Sequence, residues 1–173
     1  MDTSIQKIKY CVYISIILLI LICLILFWMA DPYFLRAPKD YYLTSLFKEK
    51  RDSFEMLRRL TVEDSKKQWY FDKYNLGGNL GGARTKEYKN LISSIDSALN
   101  ITVNDQSVRF HFASGGISVI GPGWYKGIEY IPGNIKREGT IVTDLDNLSS
   151  LPVGDVYLKE IAPQWFIFFQ NTD

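Results

Sequence analysis

The stretch from Cys11 to Ala30, CVYISIILLILICLILFWMA, carries no charge, and no other feature restricts so severely what this chain can fold into. At about 1.5 Å per residue it is long enough to cross a ~30 Å hydrocarbon core, so the sequence predicts one transmembrane helix over 11–30. A buried helix of a water-soluble domain would show a polar stripe, and a cleaved signal peptide would have a shorter apolar run ending in small residues. Trp28 and Met29 stand where that cleavage site would fall, and Leu21 and Ile22 precede Cys23, where a lipoprotein signal favours a small residue. The expected anchor is therefore uncleaved, with Tyr10 and Tyr13 at one interface and Trp28 and Tyr33 at the other.

Residues 1–10 form the expected cytoplasmic tail, with Lys7 and Lys9 beside the run. Arg36, Lys39, Lys48, Lys50 and Arg51 follow it, but long domains translocate largely regardless of charge. The pattern predicts a signal anchor whose C-terminal domain lies outside the cytoplasm. Both cysteines, Cys11 and Cys23, fall inside the run, so the domain after it has no disulfide or thiolate metal ligand. Of 20 basic and 19 acidic residues, all but Lys7, Lys9 and Asp2 lie beyond the run, leaving the two signs in balance there. That balance argues against a nucleic-acid partner.

After a connector from Asp31 to Pro38, the stretch Lys39 to Leu60 places Leu43, Leu46, Phe47, Phe54, Leu57 and Leu60 at helical spacing. Residues 31–62 are thus read as connector and first amphipathic helix, and 63–83, with GGNLGG at its end, as a flexible Gly-rich segment. A second amphipathic helix begins near Thr85, its stripe formed by Tyr88, Leu91, Ile92, Ile95 and Leu99. From Ile101 the period changes to two. Val108, Phe110 and Phe112 alternate with Arg109 and His111, a turn is expected at Ser114-Gly115-Gly116, and further strands follow to Trp165–Phe169. The last run is apolar on both faces, as a central strand covered on both sides would be. The expected class is α+β: the transmembrane helix, two amphipathic helices, then a mainly antiparallel sheet of five to six strands, with 84–173 holding helix and sheet and 31–173 forming one domain.

Chemistry is sparse. Gly77 to Gly82 has Walker-like spacing but continues Ala83-Arg84-Thr85 instead of Lys-Ser/Thr, so a connector is the better reading, with Arg84 as a candidate anion site. His111 is the single histidine, and no ligand spacing predicts a metal site or cofactor around it. Ser114 lacks the G-x-S-x-G elbow. No catalytic residue is assigned on the leading reading; the competing one is a hydrolase-type enzyme using His111 with Asp144 or Asp146. Aromatic residues concentrate in the last third, and Trp124, Tyr125, Trp165, Phe166 and Phe168 are the candidate interface if a small domain cannot cover both faces of its strands.

The segments GWYKGIEYIP (Gly123–Pro132), LPVGDVYLKEI (Leu151–Ile161) and QWFIFF (Gln164–Phe169) resemble uncharacterised single-pass proteins of bacterial cell envelopes. The resemblance covers the C-terminal third and implies an inner-membrane location with a periplasmic domain; it brings no activity to carry over. The expectation is a non-enzymatic protein contacting the bilayer through residues 11–30 and binding a protein partner, as an immunity protein or an accessory subunit of a membrane complex would.

Overall fold

The computed structural model describes residues 13–23, 37–76, 80–115, 123–136, 138–146 and 154–172. The chain divides into two compact units, Met1–Arg36 and Ala37–Asp173. In the first, the described residues, 13–23, form helix α1. Among the described residues no helix is long and apolar enough to cross a membrane. This corrects the predicted single-pass anchor and the inner-membrane, periplasmic localisation drawn from it. An uncharged run is necessary for a span, but a span also needs continuous helix through the hydrocarbon to satisfy its backbone. The tail 1–10, residues 11–12 and 24–30, and the expected interfacial Tyr10, Trp28 and Tyr33 lie outside the described residues.

The second unit has two helices where one was expected: α2 (Asp40–Glu49) and α3 (Arg51–Asp64). The break falls at Lys50, whose φ of −109° and ψ of 21° leave the helical region. The apolar stripe survives it, because Leu43 and Phe47 on α2 and Phe54, Leu57 and Leu60 on α3 are all buried. Helix α4 (Gly82–Ile95) starts a turn earlier than Thr85, behind the N-cap Gly81. Thr85 instead donates its hydroxyl proton back to the carbonyls of Leu76 and Leu80, which ties the helix to the preceding loop.

The strands are β1 (Tyr70–Phe71), β2 (Asn100–Asn104), β3 (Ser107–Gly115), β4 (Gly123–Tyr130), β5 (Thr140–Ile141), β6 (Val156–Ala162) and β7 (Trp165–Thr172), in sheet order β1-β2-β3-β4-β7-β6-β5. The expected five to six antiparallel strands are corrected to a seven-stranded mixed sheet, since β5 pairs with β6 in parallel. Strands β1 and β5, two residues each, are too short for a period to reveal. Of the turn expected at Ser114-Gly115-Gly116, Ser114 and Gly115 belong to β3, and 116–122 lie outside the described residues. A separate tight hairpin joins β2 and β3 at Asp105 and Gln106, with φ of 44° and 75°. Two positive φ values make a type I′ turn, whose twist suits a hairpin although neither residue is glycine.

All three helices pack on one face. Trp165 is the hub: its ring centroid lies 4.9 Å from Phe47, 5.2 Å from Tyr130 and 5.9 Å from Phe110, while its indole N–H donates to Glu55 Oε1 at 3.0 Å. Farther along, Tyr88 of α4 stacks on Phe71 of β1 at 5.2 Å. The other face buries Phe166, Phe168 and Leu158 beneath Ile131, with Ile135 and Val156 against them. Strand β7 is thus buried on both sides, between β4 and β6. Gly127 of β4 makes this layering possible. A Cβ there would lie 2.0 Å from the Phe110 carbonyl oxygen and 2.8 Å from a ring carbon of Phe168.

Because β7 has no solvent face, Trp165→Ala and Phe166→Ala should both destabilise the domain, each by about 3–5 kcal/mol. Gly127→Ala should cost at least about 2 kcal/mol through the backbone shift it forces. Denaturant unfolding measures all three, and a wild-type midpoint for Phe166→Ala would mean that the second face is open.

Candidate functional site

The two faces of the sheet separate the residues proposed for catalysis. His111 lies on the face away from the helices, edge-on to Phe168 at 5.3 Å and Tyr125 at 5.9 Å, with Nε2 hydrogen-bonded to Thr102 at 2.9 Å. Burial first, and then the charge of Arg109, push its pKa down to about 4, so the ring is neutral at physiological pH. Asp146 lies on the helix side. Its Oδ1 is 3.0 Å from Nζ of Lys126, a β4 side chain that is wholly buried under α2. Asp144 Oδ1 accepts from the Asp146 N–H at 2.8 Å as a turn cap. The sheet therefore stands between His111 and both aspartates.

The helix-side cluster is built around Asp40, the first residue of α2. Its Oδ1 lies 2.7 Å from Lys126 Nζ; its Oδ2 lies 2.8 Å from Lys159 Nζ and accepts the Leu145 N–H at 2.9 Å. The Asp40 N–H in turn donates to Asp146 Oδ1 at 2.8 Å. Burial by itself would raise the Asp40 pKa, but the lysine hydrogen bonds and the Leu145 amide hold it below the ordinary carboxylate value. One carboxylate oxygen from each of Asp40, Asp144 and Asp146 lies within 4.8 Å of the others, an arrangement that could hold a cation. Lysine ammoniums already occupy that position. The cluster works as a clasp joining α2, the 144–146 turn, β4 and β6.

On the opposite face, a pocket of about 290 Å³ is lined by Ser107, Arg109, Glu129, Lys136, Glu138 and Gln170, among others. Arg109 spans it, with Nε 2.8 Å from Glu129 Oε1, Nη1 donating to Gln170 at 3.1 Å, and the guanidinium 5.3 Å from the Phe168 ring centroid. Burial raises the Glu129 pKa and Arg109 opposes the shift. Arg109 thus satisfies Glu129 Oε1 and Gln170, while Glu129 Oε2 is buried without a hydrogen-bond partner. Arg84, the candidate anion site, is likewise occupied: Glu63 lies at 2.8 Å, Asp64 at 3.0 Å and Glu87 at 3.3 Å.

Of the candidate interface residues, Trp165, Phe166 and Phe168 are interior. Trp124 is half-buried, stacked on Phe169 at 6.3 Å, and Tyr125 is 40% exposed. Much larger aromatic exposure occurs at the other end of the sheet, where Trp69 is 68% and Tyr74 85% exposed. Both belong to the loop that carries β1, and hydrogen bonds hold that loop. Asp72 Oδ1 accepts the N–H groups of Tyr74 at 2.6 Å and Asn75 at 2.7 Å, Asp72 Oδ2 accepts from Asn75 Nδ2 at 2.8 Å, and Gln68 Nε2 closes the loop by donating to the carbonyls of Tyr70 and Asn75. The Trp69 carbonyl accepts the Val103 N–H at 2.9 Å and fastens the loop to β2.

Beside it an open groove of about 400 Å³ is lined by Ser65, Val103, Asn104, Asp105 and Gln106. The groove thus includes the strained hairpin turn. A long side chain at a φ of 75° costs roughly 1–2 kcal/mol, and such strain clusters at functional positions. Sequence reading passed over this corner because KKQWYFDKYN has no apolar period, although Asp72 three residues before Asn75 is a turn signature. Comparison with protein-family models, curated proteins and solved structures finds no match to this chain, so function has to be read from the site itself.

Two substitutions test the electrostatics. Lys126→Met should cost about 3–5 kcal/mol at neutral pH by leaving Asp146 without its ammonium and Asp40 with Lys159 alone, and the deficit should shrink once acid protonates the two carboxylates. His111 binds its proton more weakly in the fold than in the unfolded chain, so its contribution is present above pH ~6.5 and is lost as pH falls toward about 4. His111→Gln should therefore flatten stability across that window, by an amount on the order of 3 kcal/mol. Unchanged pH dependence in urea titrations would mean that the imidazole is solvated.

Proposed function

We propose that this domain acts by binding another protein, without catalysis, and that the corner formed by the 68–75 loop and the β2–β3 turn is the docking site. On this reading it serves as a toxin-neutralising immunity protein or as an accessory subunit of a complex. What carries the reading is a single combination: the most exposed tryptophan and tyrosine of the sheet domain sit on a loop whose backbone is hydrogen-bonded in place. Large aromatic side chains on a rigid support lose little entropy on association, and Trp and Tyr dominate binding hot spots. Left in water, the same side chains contribute nothing to the core. The separation of His111 from Asp144 and Asp146 also supports a non-catalytic reading.

The edge of β1 does not offer the alternative of strand addition, because Gln68 already occupies the Tyr70 carbonyl. Side chains, not backbone, therefore make the contact. Trp69→Ala and Tyr74→Ala should leave stability within about 0.5 kcal/mol of wild type, yet abolish co-purification of the partner from the protein's own cells. Capture at wild-type levels by both variants would exclude this corner as the docking site.

A further inference from the structure

We infer that the partner seated on this corner is an acidic protein surface, one that presents carboxylates around an apolar recess for Trp69 or Tyr74. The inference rests on the docking reading above and adds the partner's chemistry to it. Residues 65–76, SKKQWYFDKYNL, contain Lys66, Lys67 and Lys73 against a single acid, Asp72. That acid is not available to a partner. It is buried, and its carboxylate is consumed by Tyr74, Asn75 and the Tyr70 hydroxyl. Glu63 and Asp64, at the end of α3, are drawn toward Arg84 at 2.8 and 3.0 Å, and Lys67 reaches Asp64 at 3.5 Å.

The ammonium of Lys73 lies 5.9 Å from the centroid of the exposed Tyr74 ring, so aromatic surface and positive charge arrive together. Lys66 and Lys67 are exposed on the approach to Trp69. The chain as a whole has a formal net charge of +1, so this is a local concentration of positive charge in a nearly neutral molecule. Among the described residues of the corner, Asp105 on the far side of the groove is the exposed countercharge. A partner that is acidic opposite the lysines fits this distribution, and like-charge contact costs several kcal/mol.

The same argument disfavours two other occupants. A second copy of the chain docking through the same corner would bring Lys66 and Lys73 against their own counterparts. Single-stranded nucleic acid could stack on exposed aromatics, but Asp105 in the groove repels phosphate.

The test uses the full chain with p-benzoylphenylalanine replacing Tyr74, an aromatic-for-aromatic exchange, irradiated in the protein's own cells. The crosslinked species is identified by mass spectrometry, and that protein is purified for binding kinetics with the full chain. The expected result is a protein adduct whose association rate falls at least ~10-fold between low and high salt. Lys66→Glu combined with Lys73→Glu should lower association by a further ~10-fold, while Trp69→Ala should act mainly by raising the dissociation rate. If Trp69→Ala abolishes binding but charge reversal and salt leave association unchanged, the docking corner stands and the acidic partner is wrong. If neither Trp69→Ala nor charge reversal matters, both readings fall. An adduct with a second copy, a nuclease-sensitive adduct or no adduct overturns the inference directly.

Discussion

A lysine ammonium with no access to water sits at the centre of this domain, and the architecture around it follows from that constraint. Lys126 projects from β4 into the layer between sheet and helices, where an unpaired charge would be prohibitively expensive. Asp40 and Asp146 supply the countercharges, and Lys159 completes the alternation from β6. Each partner comes from a different part of the chain. Helix α2 must therefore begin where Asp40 can reach β4, and the 144–146 turn must fold back over the helix side of the sheet instead of extending from its edge. The clasp specifies topology as much as it stabilises it, because apolar substitutes would pack without demanding one arrangement.

Beside the clasp, a second layer of constraint comes from β7. Its odd residues from Trp165 meet the helices, and Phe166 and Phe168 meet the far face. A strand with two buried faces requires cover on both, so the chain after β4 crosses beneath the sheet at Ile131 and Ile135 before reaching β5. Gly127 brings the second layer close, and Arg109 lies over the same Phe168 ring on its way to Gln170. Arg109, Glu129 and Gln170 are consequently partners for one another, with Glu129 Oε2 the buried atom left without one. His111, neutral and bonded to Thr102, belongs to this layer as a packed side chain.

The corner at β1 contrasts with both layers. There the hydrogen-bonding capacity of Asp72 and Gln68 is spent on rigidity, while Trp69 and Tyr74 face outward and the adjoining hairpin tolerates Gln106 in a conformation that favours glycine. Here positive φ, exposed aromatic rings and a groove coincide, whereas the positive φ of Gln164 (69°) and the 74% exposure of Tyr41 occur on separate elements. Such concentration of exposed aromatic surface, fixed backbone and strain is what a binding site requires of a small domain.

The sequence by itself determined the helical stripes from Leu43 to Ile92 and the central position of the Trp165–Phe169 strand, because periodicity and burial on both faces are local properties of a chain; it missed that β1 falls between α3 and α4. It also misled where a local property was asked to carry a global conclusion. The uncharged run 11–30 meets the compositional requirement of a span, yet among the described residues no helix is long and apolar enough to cross a membrane. Only the tertiary structure decided that Lys39–Leu60 breaks at Lys50, that β5 runs parallel to β6, and that the sheet divides His111 from Asp146. Only it showed that Trp165 is interior while Trp69 is exposed. The reason is that a side chain's surroundings depend on partners more than a hundred positions away, as with Trp165 and Glu55 or Lys159 and Asp40, and such pairings leave no mark within the reach of a sequence window.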